Sequence, residues 1–155
     1  MEFIKKHKTV IFQIILTLLI GFTGNLLGGN MESFNALDKP SIVPPPIVFP
    51  IVWTILYILM AVSATMIQES DNPKKSSAMK IYYTQLAVNA LWSLFFFRLM
   101  WLTFSFWWIL LLIVFVVVMI YQFSKIKPLA GALQIPYLIW LLFASILNLM
   151  ITMMN

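Results

Sequence analysis

The chain has 155 residues, of which 62% are hydrophobic and 10% charged. Soluble domains are roughly 45–50% apolar and about 25% charged, so an ordinary water-facing surface is excluded and lipid is the solvent that fits. The net charge of +5 comes from lysines set between apolar runs, a mark of membrane topology and anionic headgroups rather than of nucleic-acid binding.

Five apolar stretches run approximately Thr9–Gly28, Ile47–Gln68, Lys80–Phe97, Leu102–Phe123 and Ala132–Met154, and none holds an acidic residue. Each is long enough to cross a hydrocarbon core of about 30 Å at about 1.5 Å per residue. They predict one all-α domain over residues 1–155, a bundle of five transmembrane helices. Lys5, Lys6 and Lys8 before the first stretch resemble the start of a signal peptide. The run is of spanning length and no small-x-small cleavage site follows, so a retained helix is expected. The connection Gly29–Val43 is the longest in the chain and carries Phe34, Leu37 and Lys39-Pro40. A loop of that length in a compact bundle usually has a function, and a lid over a pocket would be one.

The second stretch opens behind Pro44-Pro45-Pro46, with Pro50 in its first turn, where a missing N–H costs little. Asp71-Asn72-Pro73 ends it. Only Arg98-Leu99-Met100-Trp101 separates the third and fourth stretches, which predicts a tight antiparallel hairpin. One continuous helix would instead leave Arg98 deep in lipid. From Ile109 to Ile120 the fourth stretch has no polar side chain. It is expected to turn most of its surface to lipid or to another subunit. Trp101, Trp107 and Trp108 fit an interfacial aromatic belt. Lys5, Lys6, Lys8, Lys74, Lys75, Lys80, Lys125 and Lys127 fall on one side of the membrane, against Lys39 and Arg98 on the other. That asymmetry predicts a cytoplasmic N-terminus and an outside C-terminus.

Polar residues within the stretches fall on helical faces: Gln13, Thr17, Gly21 and Asn25; Trp53, Tyr57 and Ala61; Gln85, Asn89 and Ser93 beside Trp92; Trp140, Ala144, Asn148 and Thr152. Counting about 1.5 Å per residue from the outer ends, Trp53, Asn89 and Asn148 lie roughly 9–14 Å deep. Tyr57 and Ala144 lie slightly deeper, and Trp140 and Gln85 at roughly 20 Å. These faces converge in the outer half of the bundle. Spacing alone leaves two readings open, a ligand pocket or close packing with interhelical hydrogen bonds.

Three blocks carry a resemblance. Lys39–Tyr57 reads KPSIVPPPIVFPIVWTILY, Asn89–Phe97 reads NALWSLFFF, and Pro136–Asn148 reads PYLIWLLFASILN. In this order they resemble the second-, third- and fifth-helix blocks of the translocator protein family, the tryptophan-rich sensory proteins. The resemblance implies a five-helix membrane bundle, commonly a homodimer, with a ligand cavity closed by the first loop. It implies binding of porphyrins and of synthetic flat ligands of benzodiazepine or isoquinoline type. Pocket positions carried over by it are Phe34, Pro44, Trp53, Asn89, Trp92, Trp140, Ala144 and Leu147; the helical faces add Tyr57 and Asn148. Ser33 and Ile42 stand where the family often has aromatic residues, so the lid is less aromatic here. Mitochondrial members bind cholesterol, but Tyr137 is the only tyrosine of the last helix and no Lys or Arg follows it. Sterol is therefore not expected as a ligand, which fits a bacterial plasma-membrane protein.

Ordinary catalytic groupings are missing from the sequence. Cysteine is absent, His7 is the sole histidine, and no carboxylate lies within a stretch, which leaves no material for metal sites, paired carboxylates or nucleophilic cysteine. No cofactor is required; porphyrin is the expected ligand, held by stacking on indoles. The leading expectation is a membrane receptor or carrier for a flat apolar molecule. The alternatives are light-dependent porphyrin breakdown, described in the family, for which Trp53 and Trp140 would be the candidates, and a small transporter or regulatory subunit.

Overall fold

In lipid a backbone has no hydrogen-bond partner but itself, and this chain meets that demand with helix. The computed structural model describes residues 7–29 and 32–155, apart from the side chain of Asn25. Lys5 and Lys6, used above for orientation, and positions 30–31 of the first loop lie outside the described residues. Helix makes up 82% and no strand occurs among the described residues. The long helices are α1 (Lys8–Gly28), α2 (Val48–Gln68), α3 (Lys75–Ser93), α4 (Leu102–Ile126) and α5 (Ile135–Met154). Single helical turns occur at Glu32–Asn35 and Pro128–Ala132, and a π-helical turn, Leu94–Arg98, continues α3.

Four of these helices are long and apolar enough to cross a membrane: α1, α2, α4, and α5 with the turn before it. α3 is less apolar and starts at Lys75 rather than Lys80, because it includes Ser76, Ser77, Lys80, Thr84, Gln85 and Asn89. Ser76, Ser77, Lys80 and Thr84 are exposed, and the remaining polar groups are handled inside the bundle. Gln85 and Asn89 are buried, the Thr84 hydroxyl donates to Lys80 O at 2.8 Å, and none of the large exposed hydrophobic side chains lies on α3.

α1 packs on α2 and α3, and α4 packs on α3 and α5, while α2 and α5 approach more sparsely. The helices thus form a ring in the order α2, α1, α3, α4, α5, closed by the α2–α5 seam. Glycines let α1 come close: a Cβ at Gly24 would lie 3.3 Å from the Ala90 backbone. Gly29 ends α1 at φ +68°, a conformation that favours glycine.

Polar side chains key the helices together toward the lysine-rich end. Gln13 Nε2 donates to Tyr83 Oη at 2.9 Å and also to Gln68. Thr17 and Tyr82 hydroxyls pair at 2.6 Å, and Ser63 donates to Ala130 O at 2.6 Å. Gln13 and Thr17 of α1 therefore serve interhelical packing.

α4 leaves most of its surface unburied, as expected, and buries one face: Ile109, Leu112, Val116, Met119 and Phe123 are fully buried, opposite exposed Leu111, Val114, Val118 and Tyr121. A helix apolar all round carries no pattern to say which side meets the core. Trp108 is more than a belt residue, since its indole N–H donates to Val88 O on α3 at 2.8 Å. Trp101 and Trp107 are exposed. The α3–α4 hairpin turns through Leu99–Trp101, with Trp101 N–H donating to Phe95 O at 3.0 Å and Met100 at φ 54°.

Candidate functional site

The half of the bundle nearest the first loop contains two adjoining aromatic groups. One fills the α2–α5 seam. Trp53 stacks on Tyr57 at 5.4 Å between ring centroids and meets Tyr137 and Trp140 edge-on at 6.2 and 6.5 Å. Phe49 closes on Trp140 at 5.9 Å. The group forms because α2 and α5 are too sparsely in contact for backbones to pack, so indole and phenol rings fill the space. Asn89 reaches it from α3, donating to Tyr57 Oη at 3.3 Å. Gly21 on α1 makes room for Tyr57: an added Cβ would lie 2.3 Å from the ring. Deeper, Tyr137 Oη donates to Gln85 Oε1 at 2.9 Å.

The second group surrounds a cavity of about 30 Å³ between α3 and α5. Trp92, Phe96 and Phe97 line it from the α3 side, Ala144, Leu147, Asn148 and Ile151 from α5, and Phe34, Val43 and Phe49 from the first loop and the start of α2. The π turn positions the phenylalanines: Phe96 stacks on Trp92 at 5.2 Å, Phe97 meets Trp92 edge-on at 5.8 Å, and Phe95 points elsewhere, to Trp101 and Trp108. Phe34 from the loop rests on Phe96 and Phe97 at 5.8 and 5.2 Å.

Hydrogen bonding differs between the groups. Asn148 is saturated: its Oδ1 accepts from Trp92 Nε1 at 3.2 Å and Ser105 Oγ at 3.1 Å, and its Nδ2 donates to Leu102 O at 3.1 Å and Thr152 Oγ1 at 3.4 Å. It ties α3, α4 and α5 together. Trp140 Nε1 is the reverse, a buried donor with no hydrogen-bond partner among the described residues.

A family model, the TspO/MBR family, matches residues 13–154. The chain belongs to this family. It is 33% identical to the tryptophan-rich protein TspO of Chlorobaculum tepidum over 155 aligned residues, covering 97% of this chain and 98% of that one. Similarity extends to the tryptophan-rich sensory protein of Cereibacter sphaeroides, 35% identical over 81% of this chain and 78% of the relative. It also extends to the translocator protein of Sus scrofa, 30% identical over 80% and 75%. TspO/MBR proteins are membrane proteins, and with four apolar helices able to cross a bilayer this one is a multi-pass membrane protein.

In this TspO/MBR chain the positions read from the sequence divide between the groups. Trp53, Tyr57, Asn89 and Trp140 fall in the seam; Phe34, Trp92, Ala144, Leu147 and Asn148 line the cavity. Pro44 is half-buried in the irregular run before α2, next to the lining residue Val43. Sequence reasoning passed over Phe49, Tyr137, Phe96 and Phe97. The phenylalanines stood within the blocks that carried the resemblance, and Tyr137 was weighed only for a sterol motif.

Proposed function

We propose that this TspO/MBR protein is a five-span membrane receptor or carrier that binds flat apolar ligands, with porphyrins as the ligand class, at the aromatic seam and cavity beneath the first loop. In this reading α3 is the fifth span, with Gln85 and Asn89 turned inward, and the lysine-rich end faces the cytoplasm. The observation that carries the proposal is the Trp140 indole N–H, buried among Phe49, Trp53 and Phe143 without a partner among the described residues. An orphaned buried donor costs about 1–3 kcal/mol, and a ligand acceptor there would remove that cost. The adjoining ring faces suit a flat conjugated molecule. Neighbouring polar groups are engaged within the protein, so one donor and many rings would make recognition tolerant in shape and sparing in hydrogen bonds.

The cavity is an order of magnitude below the roughly 300–1,000 Å³ of sites for drug-sized ligands. On this proposal the cavity is in a closed form, and a tetrapyrrole requires the loop to lift and the α2–α5 seam to part. The test is a titration of purified protein with protoporphyrin IX in the dark, followed by tryptophan fluorescence. Saturable quenching that weakens in Trp53→Phe and Trp140→Phe supports the proposal; no quenching of the parent protein refutes it. Light-dependent loss of the porphyrin spectrum that needs those tryptophans would reassign the protein as an enzyme.

A further inference from the structure

We infer that the Asn155 side chain is the latch of the first loop, and that its release sets the rate at which the cavity opens. Two reciprocal hydrogen bonds join it to one loop residue: Asp38 N–H donates to Asn155 Oδ1 at 3.0 Å, and Asn155 Nδ2 donates to Asp38 O at 2.9 Å. A carboxamide that accepts from and donates to the same residue reproduces the pairing of a neighbouring strand. Nδ2 also donates to Ile151 O at 2.8 Å, which anchors the latch on the last turn of α5.

The loop segment it holds is pre-formed. Lys39 Nζ donates to Asn35 O at 3.1 Å and to Leu37 O at 3.0 Å, and lies 4.9 Å from the centroid of the Phe34 ring. Phe34 to Lys39 therefore moves as one piece. Its apolar attachments include the seat of Phe34 on Phe96 and Phe97 at the end of α3 and the packing of Leu37 against the core. Its polar attachment across the cavity is to Asn155, just past the end of α5. Asp38 and Asn155 are both exposed, so water replaces their bonds at little cost when the latch opens. A buried pair would hold the cavity shut. The surface latch gives a closed loop that still releases.

This inference rests on reading the cavity as the ligand site, and its test does not need the ligand. The chain has no cysteine, so Leu147→Cys, which lines the cavity, gives a single probe beneath the loop. In lipid nanodiscs, labelling of that probe by a charged, water-soluble maleimide reports loop opening. Adding Asn155→Ala should raise the labelling rate about three- to tenfold, as for loss of one or two partly exposed hydrogen bonds. Asn155→Asp, which keeps the acceptor and loses the donor, should also raise it. Thermal unfolding should stay unchanged, which separates a latch from a general structural role. Protoporphyrin IX dissociation, where the parent binds it, should accelerate by the same factor. Labelling rates equal to the parent's overturn the latch even if porphyrin binds. Faster labelling in a protein that binds no porphyrin upholds the latch and overturns the ligand class.

Discussion

Replacing Asn148 by alanine tests whether this residue is a structural hub or a contact reserved for ligand. Its carboxamide has two donors and two acceptor sites, and all four are engaged by Trp92, Ser105, Leu102 and Thr152. Interhelical hydrogen bonds in membrane proteins average about 0.6 kcal/mol, because the unfolded chain in lipid also finds partners. Four such bonds give about 2–3 kcal/mol. Not every partner is stranded: the one Ser105 hydroxyl proton, shared between Asn148 Oδ1 and Leu102 O, goes wholly to Leu102 O at 2.8 Å, and Thr152 keeps its donation to Asn148 O at 2.7 Å. The Trp92 indole N–H has no second acceptor among the described residues, and leaving it buried adds about 1–2 kcal/mol. The expected destabilisation is therefore about 3–4 kcal/mol, read from reversible unfolding in mixed micelles by tryptophan fluorescence. In a double-mutant cycle, Trp92→Phe should cost about 1 kcal/mol less in the Asn148→Ala background than in the parent. A loss below about 0.5 kcal/mol, or full additivity with Trp92→Phe, refutes the hub.

Three further outcomes follow from the same geometry. Trp140→Phe removes the partnerless donor, so stability should change by less than about 1 kcal/mol while protoporphyrin IX affinity falls about 5- to 30-fold in the fluorescence titration. Gly21→Ala places a Cβ 2.3 Å from the Tyr57 ring, displaces Tyr57 from Asn89, and should lower stability by about 1–3 kcal/mol. Gly28→Ala, whose nearest side-chain neighbour would be Phe97 Cβ at 3.4 Å, should lower it by less than about 1 kcal/mol, and equal melting shifts for the two would refute the packing argument. Tyr137→Phe strips Gln85 Oε1 of its 2.9 Å partner and should cost about 1–2 kcal/mol in thermal unfolding, with no change expected only if Gln85 is re-satisfied.

Local signals in the sequence carried the fold a long way, because prolines and charges act where they stand. Pro44-Pro45-Pro46 precedes a helix that begins at Val48, and Lys127-Pro128 marks the break before the last helix. Spacing by four put Gln85 and Asn89 on one buried face, as observed. Signals that depend on neighbours were not legible. The first turn of α3 reads as loop because Ser76, Ser77 and Lys80 hide it from an apolar count. The buried face of α4 has no composition to distinguish it from the exposed one. The π turn has no sequence mark beyond three consecutive phenylalanines, yet it sends Phe95 one way and Phe96 and Phe97 another.

The same distinction explains why the site was only partly readable. Polar residues in a membrane helix announce themselves individually, but whether each is spent is a property of pairs. Asn148 and Trp140 lie on one face of α5, and the sequence marks both as polar groups at depth. In the structure Asn148 is spent, with four partners from three helices, whereas Trp140 Nε1 has none among the described residues. An internally satisfied group gains nothing from a ligand acceptor, while an orphaned one gains the whole bond. The residue with the greater claim to ligand recognition is thus the one with fewer contacts. Only Gln134 Nε2 shares with it the condition of a buried side-chain donor with no partner among the described residues, and Gln134 lies near the lysine-rich end, away from the loop. Of the two, Trp140 alone stands in a wall of aromatic faces beside a seam where two helices barely touch, and that combination makes it the point at which a flat ligand would be recognised.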